Sequence, residues 1–249
     1  MNEPWPVAPT SEAAAPESFP DPPPDPLLRA FLDRHAPLGP TPLCPEVQVF
    51  QARSLVEVWE AAEALAGAPL PSPFWAYPWA AGQALARVLL DRPAWVRGGR
   101  VLDLGAGGGV SSLAAAAAGA AAVVANDVDP WALAVTRLAS GLGGSAVELR
   151  AGDLTGHEGA ALDGWDVVLA GDLCYERRHA ERQRAALQRA ADAGALVLAA
   201  DAGRAFFDAR GLEEVARFRL TVPRDLEGVD ERTPRVFRVL PGALPTALP

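Results

Sequence analysis

The residues most able to do chemistry are acids and glycines at the ends of apolar stretches. Residues 101–109 read V-L-D-L-G-A-G-G-G, with Asp103 two residues before Gly105 and Gly107 two residues after it. Glycine has no Cβ and tolerates positive φ, so a ligand can approach such a loop closely. The loop follows an apolar strand and precedes a helix start, the place where open α/β sheets bind ligands. Asp127 ends the next strand, 24 residues after Asp103. An acid there can accept hydrogen bonds from both hydroxyls of a ribose. Asp153 follows Gly152 at the end of the third strand. Asp172 ends the fourth and opens D-L-C-Y, which closes on Tyr175. Each acid also has a plainer reading: Asp103 and Asp153 as turn acids, Asp172 as a helix cap. Acids at successive strand ends are a stronger signal than any one alone. A dinucleotide fingerprint would put a third glycine at position 110, and that residue is Val110.

Other chemistries are disfavoured. Two cysteines, Cys44 and Cys174, and three histidines show no metal-ligand spacing, so no metal is expected. Such sparse cysteine use fits a reducing, cytoplasmic compartment. The formal net charge of −9 speaks against a nucleic-acid partner, because phosphate binding leans on a basic surface. No apolar run is long enough to suggest a membrane span. All 22 basic residues are arginine, and alanine, glycine and proline abound. The alanine run at 114–118 is helix filler under that bias.

The elements that must position these residues can be read in outline. Residues 1–26, rich in proline and without a basic residue, read as a disordered tail, and 242–249 as a second tail. Between 27 and 99 the chain reads as a helical extension, with helices over 27–35, 54–66 and 82–90. Ser54 and Glu57 have capping-box spacing. A proline-broken aromatic loop, P-S-P-F-W-A-Y-P-W, spans 71–79. From 100 to 241 strands alternate with helices: strands at 101–104, 121–125, 146–149, 166–170 and 195–200, helices at 110–118, 130–140 and 176–191. Asp129-Pro130 supplies a cap and a first-turn proline. This alternation predicts an α/β, Rossmann-like fold, a mostly parallel sheet with helices on both faces. Residues 215–221 and 235–240, joined only by a loop, add an antiparallel strand pair at one edge.

D-x-G-x-G at 103–107 resembles the S-adenosylmethionine loop of Rossmann-like methyltransferases. Asp172–Tyr175 resembles the D-x-x-Y signature of seven-strand protein lysine methyltransferases. P-F-W-A-Y-P-W-A-A-G-Q-A-L-A-R at 73–87, A-N-D-V-D-P at 125–130 and D-A-G-R at 201–204 are similar to the lysine methyltransferases of the electron-transfer flavoprotein β subunit. The resemblance spans about 27–240 and departs at 138–144 and at Ala202. It implies S-adenosylmethionine as cofactor. Asp103 would lie near its ammonium directly or through water, Gly105 and Gly107 under it, Asp127 on the ribose, Asp153 at the adenine amino group and Trp79 packed over it. It further implies that Asp172 orients an acceptor amine and that Tyr175 walls or bonds it. The implied partner is a protein substrate such as the electron-transfer flavoprotein β subunit, with a monomeric enzyme favoured. A small-molecule N-methyltransferase of the same fold and a non-catalytic cofactor-binding protein stand as alternatives.

Overall fold

The computed structural model describes residues 20–156, 162–174 and 177–243. Helix α1 (Asp25–His35) leads to a short antiparallel pair, β1 (Leu38–Pro40) and β2 (Gln48–Phe50). Helix α2 (Leu55–Ala66) follows, then a single 3-10 turn over Phe74–Ala76 and helix α3 (Ala80–Asp91). The alternating part runs β3 (Arg100–Leu104), α4 (Val110–Ala117), β4 (Ala122–Asp127), α5 (Pro130–Leu142), β5 (Glu148–Ala151), β6 (Val167–Gly171), α6 (Arg177–Asp192) and β7 (Leu196–Asp201). The chain ends with β8 (Leu212–Arg217), β9 (Leu220–Thr221), α7 (Arg224–Glu227), β10 (Glu231–Arg232) and β11 (Arg235–Val239).

Seven strands form one sheet in the order β5-β4-β3-β6-β7-β11-β8. The pairs from β5 through β7 are parallel, and β11 runs antiparallel to both of its neighbours. Alternation along β6 shows why these strands are apolar throughout. Val167 and Leu169 pack with α3 residues such as Leu85 and Leu89, while Val168 and Ala170 pack with Leu187 of α6. A sheet covered on both faces needs apolar residues on both. The strand order turns outward on either side of β3, which leaves a crevice at the carboxyl ends of β3 and β6.

Local signals account for the starts of α2 and α5 and for the end of α2. The Ser54 hydroxyl accepts the Glu57 N–H at 3.3 Å, and left-handed Gly67 closes α2. Asp129 Oδ1 accepts the Trp131 N–H at 2.8 Å, with Pro130 in the first turn of α5. Helices α1 and α2 with β2 share an apolar cluster with Trp75, Trp131 and Val135, so the amino-terminal part packs on α5.

Some boundaries differ from the sequence expectation. Helix α1 begins at Asp25, inside the expected tail, because a proline is tolerated in a first helical turn. The Trp131 indole donates to the Pro20 carbonyl at 3.1 Å, and Arg137 pairs with Asp25. Residues 1–19 and 244–249 lie outside the described residues. The β1–β2 pair has no counterpart in the sequence reading, because three-residue strands carry too little alternation to register. The strand expected at 215–221 is split into β8 and β9, and the loop expected after it holds α7 and β10, which pairs with β9. Among the described residues no helix is long and apolar enough to cross a membrane.

Leu102 of β3 is fully buried at the centre of the sheet. Leu102→Ala should cost about 2–5 kcal/mol, read as a lower urea midpoint with an unchanged slope. A smaller loss would mean that the neighbouring strands close over the gap.

Candidate active site

The glycine loop leaves β3 with Gly105 at φ 62° and Gly107 at φ 53°. At Gly105 a Cβ would also lie 2.3 Å from Leu173 Cδ2, so the position excludes a side chain twice over. The Thr136 hydroxyl of α5 donates to the Gly107 carbonyl at 3.0 Å. The Gly107 N–H donates to Asp127 Oδ2 at 2.8 Å, and the Asp129 N–H donates to Asp127 Oδ1 at 3.0 Å. Each oxygen of Asp127 keeps a second lone pair, enough to accept a vicinal diol. Burial pushes the Asp127 carboxyl up, against those backbone bonds. The Trp75 carbonyl sits 2.6 Å from where a Cβ on Gly108 would be, so the 3-10 turn lies directly on the loop. A cradle this close to backbone, with an acid at its edge, fits a nucleoside carrying an amino-acid end.

Asp103 lies beneath this cradle. It is 2% exposed, and the Ser112 hydroxyl of α4 donates to its Oδ2 at 2.6 Å. Asp103 thereby ties α4 to β3 beneath the loop. Burial pushes its carboxyl up to about 7, despite the Ser112 bond. Asp153 stands beside Asp127, because Gly152 donates to the Asp127 carbonyl and Asn126 donates to the carbonyls of Arg150 and Gly152. Its Oδ1 accepts the N–H and hydroxyl of Thr155, at 2.8 and 2.6 Å, and Arg182 of α6 lies 3.3 Å from Oδ2. Burial raises this carboxyl, but the Thr155 bonds and Arg182 hold it below the ordinary value. Asp153 thus closes its own turn through Oδ1 and pairs with Arg182 through Oδ2.

At the other side of the crevice, Asp172 is the only described non-glycine residue with positive φ, at 60°. Its side chain is 7% exposed. Both oxygens are held by Arg204: Nε–H donates to Oδ1 at 2.6 Å and Nη2–H to Oδ2 at 2.8 Å. Arg204 follows β7 in a turn tied by Asp201, whose Oδ1 accepts the N–H groups of Gly203 and Arg204. The Arg204 guanidinium lies 5.3 Å over the Trp79 ring, which meets Tyr77 edge-on at 5.2 Å and Phe74 at 5.9 Å. Trp79 is thus placed against Arg204, with its indole donating to the Phe74 carbonyl at 2.8 Å. The Trp75 backbone lies on the loop, and its ring stacks on Trp131.

Tyr175 lies outside the described residues. Cys174 points to Gln183, and burial pushes its thiol up to about 12, so it is no nucleophile at neutral pH. Leu173 both covers Gly105 and lines a cavity of about 330 Å³ between α6 and the 205–212 loop. Arg204 and Asp201 were not singled out as site residues from the sequence; the D-A-G-R segment was the signal that could have found them.

Asp103 has a folded pKa of about 7, above the usual ~4 of an unfolded aspartate. Between those values the native state holds a proton that the unfolded chain has released, so stability falls as pH rises. Asp103→Asn keeps an acceptor for Ser112 and removes the ionisation. Its melting temperature relative to wild type should climb by roughly 5 °C or more from about pH 4 to pH 7, then level off. A flat difference across that range would show that Asp103 does not titrate there.

Comparison with known proteins agrees with this geometry. Residues 86–170 match the family model of ribosomal protein L11 methyltransferase (PrmA). The electron transfer flavoprotein β-subunit lysine methyltransferase of Xenopus laevis is 36% identical over 199 residues, which cover 78% of this chain and 79% of that one. Its counterpart in Danio rerio is 39% identical over 61% of this chain and 60% of its own. The Mus musculus protein is 32% identical over 76% and 73%. On that extended match the chain belongs to the electron transfer flavoprotein β-subunit lysine methyltransferase family and is an S-adenosylmethionine-dependent N-methyltransferase.

Proposed function

We propose that this enzyme methylates lysine side chains of the electron transfer flavoprotein β subunit or of a closely similar protein. The observation that carries the reading is Asp172: a left-handed, Arg204-clamped acid at the end of β6, next to the strand that bears the glycine loop. Sparsely populated backbone conformations persist where the surroundings enforce them, and they cluster at functional sites.

When bound, S-adenosylmethionine supplies an electrophilic methyl group on a sulfonium. The chain contributes position. Gly105 and Gly107 admit the ligand to the backbone, Asp127 accepts its ribose hydroxyls, and Asp153 offers Oδ2 at the adenine end. Asp103, through Ser112 and α4, supports the loop from below. At the acceptor end Asp172 has two lone pairs beyond those used by Arg204, and these orient the amine. A carboxylate neutralised by a guanidinium is a poor base, so its part is alignment, which supplies much of the rate in an in-line displacement. A lysine with an ordinary pKa of ~10.4 must lose its proton before attack, and the Arg204 charge beside the site favours the neutral form. Tyr77 and Trp79 wall the approach, and Tyr175 completes the motif.

The direct test supplies labelled S-adenosylmethionine, the purified enzyme and the flavoprotein β subunit. Label should enter lysine of the protein; label confined to small molecules would overturn the reading. Asp172→Asn tolerates the same left-handed backbone. It should lower single-turnover methylation by roughly a hundredfold or more and change S-adenosylhomocysteine affinity by less than about 1 kcal/mol. Near-native rates would reduce Asp172 to a structural turn. Asp127→Ala should instead weaken S-adenosylhomocysteine binding by about 1.5–3 kcal/mol in calorimetry, the range for hydrogen bonds to a charged group.

A further inference from the structure

Glu227 ends the short helix α7 in the segment between β9 and β10, and its side chain is 1% exposed. Arg232 binds one end of it: Nε–H donates to Oε2 at 3.0 Å, and Nη2–H donates to the Glu227 carbonyl at 2.6 Å. The other oxygen, Oε1, is buried with no hydrogen-bond partner. An unsatisfied buried carboxylate oxygen is costly and calls for an explanation.

Electrostatic coupling links that carboxylate to Asp172 and Arg204 at the acceptor end of the crevice. Leu226 belongs to the apolar cluster of Trp75, Ala76 and Tyr77. Arg232 Nη1 lies 3.9 Å from where a Cβ on Gly203 would be, against the turn that presents Arg204. Glu227 is also within electrostatic reach of Tyr77, Arg204 and Asp172. Three carboxylates, Asp172, Asp201 and Glu227, meet two guanidiniums, Arg204 and Arg232. Asp172 and Glu227 each take one guanidinium, and Asp201 is held by backbone N–H groups of its own turn. The cluster holds one carboxylate more than it has guanidiniums, and the group with a free acceptor is Glu227.

We propose that Glu227 is the carboxylate that first receives the incoming lysine, its Oε1 accepting a hydrogen bond from the ammonium form, and that the proton leaves to solvent before Asp172 aligns the neutral amine for transfer. The proposal rests on the lysine-methylation reading and deepens it. Burial and the nearby Asp172 push the Glu227 carboxyl up, so a cation is what would hold it ionised.

The test uses n-butylammonium, a lysine side-chain mimic, titrated into the S-adenosylhomocysteine-saturated protein by NMR. Wild type should bind it, and Glu227→Gln should weaken binding by about tenfold or more, as for a lost bond to a charged acceptor. The isosteric alcohol n-butanol should bind both proteins equally. S-adenosylhomocysteine affinity should stay within about twofold. Kinetics with the flavoprotein β subunit should show the same loss in KM, with kcat little changed. Equal n-butylammonium affinities for wild type and variant would overturn the proposal. So would no binding to wild type, or a parallel fall in S-adenosylhomocysteine affinity, which would mark Glu227 as a fold support. If Glu227→Gln does not fold, Glu227→Asp keeps the charge but retracts the oxygen. It should then bind n-butylammonium severalfold more weakly, and wild-type affinity would overturn the proposal. Because this readout needs no turnover, it is independent of whether the β subunit is methylated.

Discussion

Asp172 and Arg204 hold each other in the one conformation that makes a site at the end of β6. Aspartate enters the left-handed region more readily than most residues, and fixed partners hold it there. Here the hold is a two-point guanidinium bond, the strongest geometry available to a side-chain pair. It depends on β6 and β7 being hydrogen-bonded neighbours, since Asp172 follows one strand and Arg204 follows the other. The Asp172 N–H donates to the Ala200 carbonyl at 3.0 Å, so backbone and side chain make the same crossing. Leu173, the next residue, then falls against Gly105, which joins the acceptor side to the cofactor loop through one van der Waals contact.

The amino-terminal part closes the crevice from outside. Its 3-10 turn lays the Trp75 backbone on the glycine loop, while Trp79, four residues on, faces Arg204. One short segment therefore touches both halves of the site. Its own position comes from packing: Trp75 stacks on Trp131 of α5, and Trp131 meets Phe31 of α1. Extension and sheet are thus coupled through α5, the same helix whose Thr136 holds the loop carbonyl.

Charge in this crevice is arranged by burial as much as by pairing. Desolvation raises the carboxyls of Asp103, Asp127, Asp201 and Glu227, and only Glu227 of these four has a guanidinium bonded to it. Such groups gain most from a ligand that brings positive charge or donors. A sulfonium, an ammonium and two hydroxyls are such a set.

The alternating apolar stretches, the Asp129-Pro130 helix start and the glycine turn after residue 104 were legible in the sequence, because period, capping and φ preference are local properties. The acids at the strand ends were legible for the same reason: each lies where an apolar run stops. Burial and partners were not. Asp103 and Asp127 look alike in the sequence, yet one lies under the loop bonded to Ser112 and the other at its edge, a difference set by which neighbours the sheet brings alongside. Trp75 and Trp79 share one aromatic segment, and only packing decided which would sit on the loop. Asp172 was legible as an acid, but its clamp by Arg204, 32 residues away, required β6 and β7 to pair. Glu227 carried no signal, since a four-residue helix between two-residue strands has no periodicity to read; its electrostatic coupling to Tyr77 and Arg204 follows from long-range packing that no local pattern encodes.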